Sequence, residues 1–348
     1  EAITDLGMYK KICAAVKAPR PEAIPPAQPG GGFDLTCRLA TEGLKQSGAL
    51  KSAMRIVYMP GGIGAVAYNN IVAQHPNEPG TIVAFSGGSL LNLAQGKFGK
   101  YNVDDVRWLA AIGTDYGVAV VRNDSPYTDL KGLMEAFKQD PTKIVLGAGG
   151  TVGSQDWMQT ALTAKAAGGD FKEMRLGAFQ GGGQAGTKAA LPAKAPGVDF
   201  KKRRSLAFEG GGEAVTALRG GHIQAYMGDA AEAFTMLEGG APIRVLAVFN
   251  DQRLPGKLGT VPTAKEQGYD IVWPIIRGFY VGPKVSDADY QFWVNAFNRV
   301  AAAPEFAKLR EQQGLFPFNK TGADLDAYVK QQVKQYAELA DSFGLVKK

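Results

Sequence analysis

Histidine and cysteine are almost missing from this sequence: there are two of each in 348 residues. His75 and His222 lie far apart and far from either cysteine, so no spacing suits a metal held by imidazole and thiolate. Catalytic sets are equally scarce. Ser86 and Ser89 lack the paired glycines that hold a nucleophile on a strained elbow. Asp104-Asp105 reads as a helix start rather than an acid–base couple. No cofactor, metal or enzymatic activity is expected. Long apolar runs are missing too, and none approaches the roughly 20 residues of a membrane-spanning helix. The chain opens on Glu1 without a signal-peptide core, which reads as a mature form with its signal peptide removed or as a trimmed chain. The net charge is only +6, and the densest basic run, Lys201 to Arg204, has no interleaved aromatics. That run reads as a solvated helix end and gives no nucleic-acid surface.

Glycine is abundant instead, with 45 residues. The glycines cluster after apolar, β-like runs, where a backbone stripped of side chains can approach a ligand. Residues 21–27 lead to Gly30-Gly31-Gly32-Phe33-Asp34-Leu35-Thr36 and then an amphipathic helix to about Ser47. Met54–Met59 reads as a strand, Pro60–Gly64 as a turn, and the next helix runs to Ala73. Thr81–Phe85 is a strand ending in Ser86-Gly87-Gly88-Ser89. The same construction recurs at Lys143–Leu146, followed by Gly147 to Ser154. Strand, glycine loop and helix in alternation predict an α/β fold with parallel sheets covered on both faces. Gly117–Arg122 and Ile243–Phe249 are candidates for strands that cross between two domains. Domain I is expected at 1–119 plus 247–348 and domain II at 120–246, two doubly wound lobes with a hinge and an interdomain cleft. A long amphipathic helix from about Gly322 to Leu339 closes the chain.

Each glycine loop can be read in two ways, as a tight βα turn or as an anion site. A helix N-terminus offers unpaired N–H groups and the positive end of the helix dipole, which suits a carboxylate or phosphate. Asp34 is expected to cap the first such helix. Gly62-Ile63-Gly64-Ala65-Val66-Ala67 carries part of the dinucleotide fingerprint. The following strand ends in Phe85-Ser86, not in the acidic residue that would hold a ribose. An NAD-dependent dehydrogenase is therefore the weaker alternative. Cys13 and Cys37 could form a disulfide or remain unrelated thiols. Residues 161–189 and 190–218 form a direct repeat, identical at 17 of 29 positions. It reads as a duplicated helix–strand–glycine unit or as an error in the sequence.

Together the motifs resemble the substrate-binding proteins of tripartite tricarboxylate transporters. The resemblance runs from about Glu22 to the C-terminus. It is carried by Pro29–Cys37, Tyr58–Asn69, Phe85–Asn92, Gly147–Gly150 with Gly153–Trp157, and Trp273–Pro283. It implies a periplasmic monomer of the type II periplasmic-binding-protein class. Such a receptor takes citrate or a related di- or tricarboxylate and passes it to integral-membrane subunits. The same fold can instead present its ligand to a sensor kinase. The resemblance assigns ligand binding to Gly31, Gly32, Phe33, Asp34, Leu35 and Thr36. Ser86, Gly87, Gly88 and Ser89 form a second lining loop. Gly149, Gly150, Thr151, Val152, Gly153, Ser154 and Asp156 form the other arm of a pincer. Asp229 and Gly211 lie near the cleft, Gly211 because the second repeat copy fits the family better. Arg277 is the candidate for an additional carboxylate. The chain departs from the family before residue 22, and the first cysteine of the family's tricarboxylate-binding branch falls where this chain has Ala23, ten residues after Cys13.

Overall fold

A computed structural model describes residues 21–27, 29, 32–140, 143–148, 153–168, 175–177 and 212–346. The chain begins with strand β1 (Glu22–Ile24), helix α1 (Gly32–Gln46), β2 (Arg55–Ile56), α2 (Ala65–Ala73), β3 (Thr81–Ser86) and α3 (Gly87–Ala94). Next come the long strand β4 (Arg107–Arg122), α4 (Leu130–Gln139), β5 (Val145–Gly147), α5 (Gln155–Ala166) and β6 (Arg175–Gly177). Helix α6 (Gly212–Arg219), β7 (Ala225–Asp229), α7 (Ala230–Glu238) and β8 (Ile243–Phe249) follow. The chain ends with β9 (Pro274–Val281), α8 (Asp287–Ala302), α9 (Pro304–Gln312) and α10 (Gly322–Ser342). Two compact units emerge. One holds the chain up to Thr114 and again from Ile276; the other runs Asp115–Ile275. The passage out falls within β4 and the passage back within β9, while Ile243–Phe249 lies inside the second unit as β8.

In the first unit β1 pairs in parallel with β2 and β3, and β3 pairs with β9. The β3–β9 pairing is antiparallel, with Ser86 opposite Arg277 and Val83 opposite Tyr280. The expected all-parallel sheet is therefore corrected to a mixed one. The register gives the reason: β9 enters the unit at the end where β3 leaves off. The second unit repeats the pattern, with β5 parallel to β6 and β7, and β4 antiparallel to β7 and β8.

The first unit's core is aromatic. Trp108 lies edge-on to Phe85 and Tyr280 at 4.9 and 5.4 Å between ring centroids, and Tyr68 meets Tyr280 at 5.3 Å. All four are buried, each ring burial contributing about 2–3 kcal/mol. Helix α10 packs on α3, and α1 packs on α8 and α9. The apolar face that makes α10 amphipathic, including Leu325, Val329, Tyr336 and Ala340, is the buried one. The second unit buries Val118 and Val120 of β4, Leu146 of β5, Met158 of α5 and Phe249 of β8. Among the described residues no helix is long and apolar enough to cross a membrane.

The turn before α2 is strained. Gly61, Gly62, Ile63 and Gly64 all have positive φ, and Ile63 sits at φ 52°, ψ 49°. Three of these residues are glycines, for which the conformation is free. Ile63 is β-branched, and the left-handed region costs such a residue about 1–2 kcal/mol. Ile63→Gly trades that strain against a smaller gain in unfolded-chain entropy. The variant should be more stable by about 0.5–1 kcal/mol, read as a higher urea midpoint at unchanged slope. A lower midpoint would mean that the half-buried isoleucine side chain holds the turn in place.

Candidate functional site

In the first unit three sequence-predicted features meet. Helix α1 starts beyond the C-terminal end of β1, and α3 starts directly from β3, its parallel neighbour. Helices rising from the ends of adjacent parallel strands bring their N-termini to one edge of the sheet. Arg277 lies there too, opposite Ser86 in the β3–β9 register. Its guanidinium rests against the first residue of α1: a Cβ on Gly32 would stand 2.4 Å from Arg277 Nη1 and 3.2 Å from Nη2. Gly32 is therefore the opening through which this cation reaches the helix end.

The side chains of the predicted residues mostly shape this edge. Helix α1 begins at Gly32, so Asp34 lies inside its first turn and is not its cap. The Asp34 carboxylate is buried and turned onto Arg38 and Tyr58: Arg38 Nε lies 3.0 Å from Oδ1, and the Tyr58 hydroxyl donates to the same oxygen at 2.8 Å. Asp34 is thus the third residue of the helix, and its carboxylate engages these two side chains. Thr36 donates its hydroxyl to the Gly32 carbonyl at 2.7 Å. Ser89 Oγ accepts from the Ser86 amide at 2.9 Å and donates to the Ser86 carbonyl at 2.8 Å, closing the first turn of α3. With these hydroxyls committed, what the edge can offer an anion is backbone N–H groups and the Arg277 fork. Phe33, Leu35 and Gly88 are half-buried along it, and Gly87 is buried.

The predicted dinucleotide turn is closed against phosphate. The amides of Ala65 and Val66, the first of α2, donate to the carbonyls of Gly62 and Gly61 in the turn itself. The Val66 side chain covers Gly61, where a Cβ would meet it at 2.4 Å. The glycines thus serve the turn and its packing.

In the second unit Ser154 caps α5, its hydroxyl accepting from the Trp157 amide at 3.4 Å. Gly153 precedes it at φ 84°. Asp229, the last residue of β7 and the cap position of α7, accepts from Gln155 Nε2 at 2.8 Å, which ties the first turn of α5 to the end of β7. Asp156 is buried, with the Tyr226 hydroxyl 3.4 Å away; that hydroxyl lies 3.0 Å from Glu232. Burial first, and then the charge of Asp156, pushes the Tyr226 hydroxyl pKa well up, so it stays a proton donor. Asp115, also buried, accepts from the Ala231 amide at 3.1 Å in the first turn of α7. These carboxylates sit where helix dipoles favour them. Gly149, Gly150, Thr151, Val152 and Gly211 lie outside the described residues, as do Gly31, Cys13 and the 178–211 portion of the repeat. Cys37 is a free thiol, fully buried on α1. Burial, with Asp34 adding to it, raises its pKa well above the usual value, which leaves it unreactive.

Sequence reasoning missed Arg38 and Tyr58 as members of the first edge, and Asp115, Gln155, Tyr226 and Glu232 in the second unit. The i, i+4 spacing of Asp34 and Arg38 was the available signal for one of them. Nothing local announces the others, which come together only through strand pairing. Among the described residues no group of three or more His, Cys, Asp or Glu side chains is placed to hold a metal.

Residues 192–345 match the family model described as the tripartite tricarboxylate transporter family receptor. No curated protein matches the chain in sequence. Solved structures share its fold at low identity. A TctC solute-binding protein from Polaromonas is 21% identical, with 92% of this chain and 97% of that one covered and a TM-score of 0.66. MatC from Rhodopseudomonas palustris, with bound malate, is 16% identical over 92% and 98% of the two chains, TM-score 0.70. A further Rhodopseudomonas palustris protein, with adipate, is 16% identical over 93% and 97%, TM-score 0.72. The fold is thus that of the periplasmic solute-binding proteins.

Proposed function

We propose, from the match of residues 192–345 to the tripartite tricarboxylate transporter family receptor, that this chain captures citrate or a related di- or tricarboxylate in the periplasm and delivers it to integral-membrane transporter subunits. Receptors of this family act outside the cytoplasm; they bind and hand over their solute and do no chemistry on it. The observation that carries the ligand class is the Arg277 guanidinium lying against Gly32 at the opening of α1. One ligand carboxylate would take the N–H groups of α1 and α3, and the guanidinium fork would take another. A ligand with two or more carboxylates uses both. The malate and adipate held by the two Rhodopseudomonas palustris neighbours are both dicarboxylates. Gly153, Ser154, Asp156 and Asp229 are proposed to supply the second unit's contacts.

A thermal-shift panel of citrate, isocitrate, tricarballylate, malate, succinate, adipate and glutamate tests this. A ligand at about 100 times its Kd adds about 2.7 kcal/mol, a rise of about 5–10 °C for units of this size. Monocarboxylates such as acetate should give no shift at equal concentration. An unchanged midpoint across the whole panel would rule out the reading.

A further inference from the structure

Asp34 creates an electrostatic conflict at the opening of α1. Its side chain is 5% exposed and two residues from Gly32. A carboxylate in the first turn suits the helix itself, whose N-terminus carries about half a positive charge. The same charge repels an anionic ligand that seeks the same helix end. For unit charges about 7 Å apart at an effective dielectric constant of about 40, the repulsion corresponds to a roughly tenfold loss of affinity.

Arg38 resolves the conflict from the solvent side. Its side chain is 60% exposed, yet Nε lies 3.0 Å from Asp34 Oδ1. Its Nη2 donates to the Tyr58 hydroxyl at 2.9 Å, and that hydroxyl donates to Asp34 Oδ1 at 2.8 Å. The three groups close a ring that fixes the guanidinium on the carboxylate. The bond to Asp34 raises the pKa of both partners, so each keeps its proton. Because α1 places Arg38 one turn beyond Asp34, the cation neutralises the acid without occupying the helix opening.

We propose that Arg38 is a positioning residue for ligand capture: it cancels the Asp34 charge that would otherwise repel a carboxylate at the α1 N-terminus, with Tyr58 holding the pair in register. The inference rests on the receptor reading above. It assigns to an exposed side chain that touches no ligand a control over affinity.

Calorimetric titration of the full chain with citrate, malate and adipate, at about 20 mM and about 500 mM salt, tests it. Arg38→Gln should weaken binding about tenfold at the lower salt, and by a modestly smaller factor at the higher, because the buried Asp34 is only partly screened by salt. Arg38→Lys keeps the charge and should stay within about twofold of wild type. The decisive variant is Asp34→Asn with Arg38→Gln: with both charges gone, affinity should return to within about twofold of wild type. Wild-type affinity in Arg38→Gln at low salt overturns the inference. So does a loss that the double variant leaves unrepaired, since lost packing would then be the cause. A wild-type chain that binds none of the three acids removes the receptor reading itself and this inference with it, before any variant is compared.

Discussion

Arg277→Met should bind a di- or tricarboxylate about a hundredfold more weakly than wild type. Two charge-assisted hydrogen bonds in fork geometry are worth about 2.7 kcal/mol in such a site, which is that factor. Arg277→Lys should fall between the two, because an ammonium supplies charge without the planar fork. Gly32→Ala should imitate part of the loss: its Cβ would lie 2.4 Å from Nη1, and the flexible guanidinium, not the backbone, would give way. Titration calorimetry on the three variants checks the set. Unchanged affinity in Arg277→Met would show that the guanidinium only fills space against α1.

One residue further along β9 the expected effect turns from binding to folding. Gly278→Ala should destabilise the protein by about 3 kcal/mol, lowering the melting midpoint by about 5–10 °C. A Cβ there would stand 2.5 Å from the Ala110 carbonyl oxygen and 2.8 Å from a Phe85 ring carbon. The first obstacle is backbone and the second lies in the aromatic cluster, so neither can swing aside as the Arg277 side chain can. Chemical denaturation with an unchanged slope would report a true stability loss. A midpoint within about 1 °C of wild type would mean that β9 can move away from Ala110 at little cost. Neighbouring residues 277 and 278 thus divide their roles by face, since successive positions on a strand point to opposite sides.

The glycine loops announced their places in the sequence, because glycine is needed where a strand turns sharply into a helix. Phe85-Ser86-Gly87-Gly88 is such a junction, and β3 passes into α3 there without a loop. The alternation of apolar residues exposed α10 to within a few residues. Strand direction was not legible: nothing near Arg277 says that β9 runs against β3, since that follows from where the chain re-enters the unit. The extended reading of Met54–Met59 shrank to Arg55–Ile56, where β2 pairs at the sheet edge. Asp34 looked like a cap because capping is a local pattern; its Tyr58 partner is 24 residues away and belongs to the segment after β2. The resemblance assigned Thr36 and Ser89 to the ligand, whereas their hydroxyl protons go to backbone carbonyls set by helix geometry.

The pairing of Ser86 with Arg277 also sets an order of events. During synthesis α1 and α3 leave the ribosome early, but β9 follows only after the entire second unit has been made. Contacts between such distant stretches close late and slowly, because the intervening chain must first be brought together. A nascent or partly folded chain therefore presents helix ends without their guanidinium partner. On the proposed site, capture competence would come only with β9, and an interrupted or truncated chain lacking β9 would hold an incomplete first site however well its opening segment had formed.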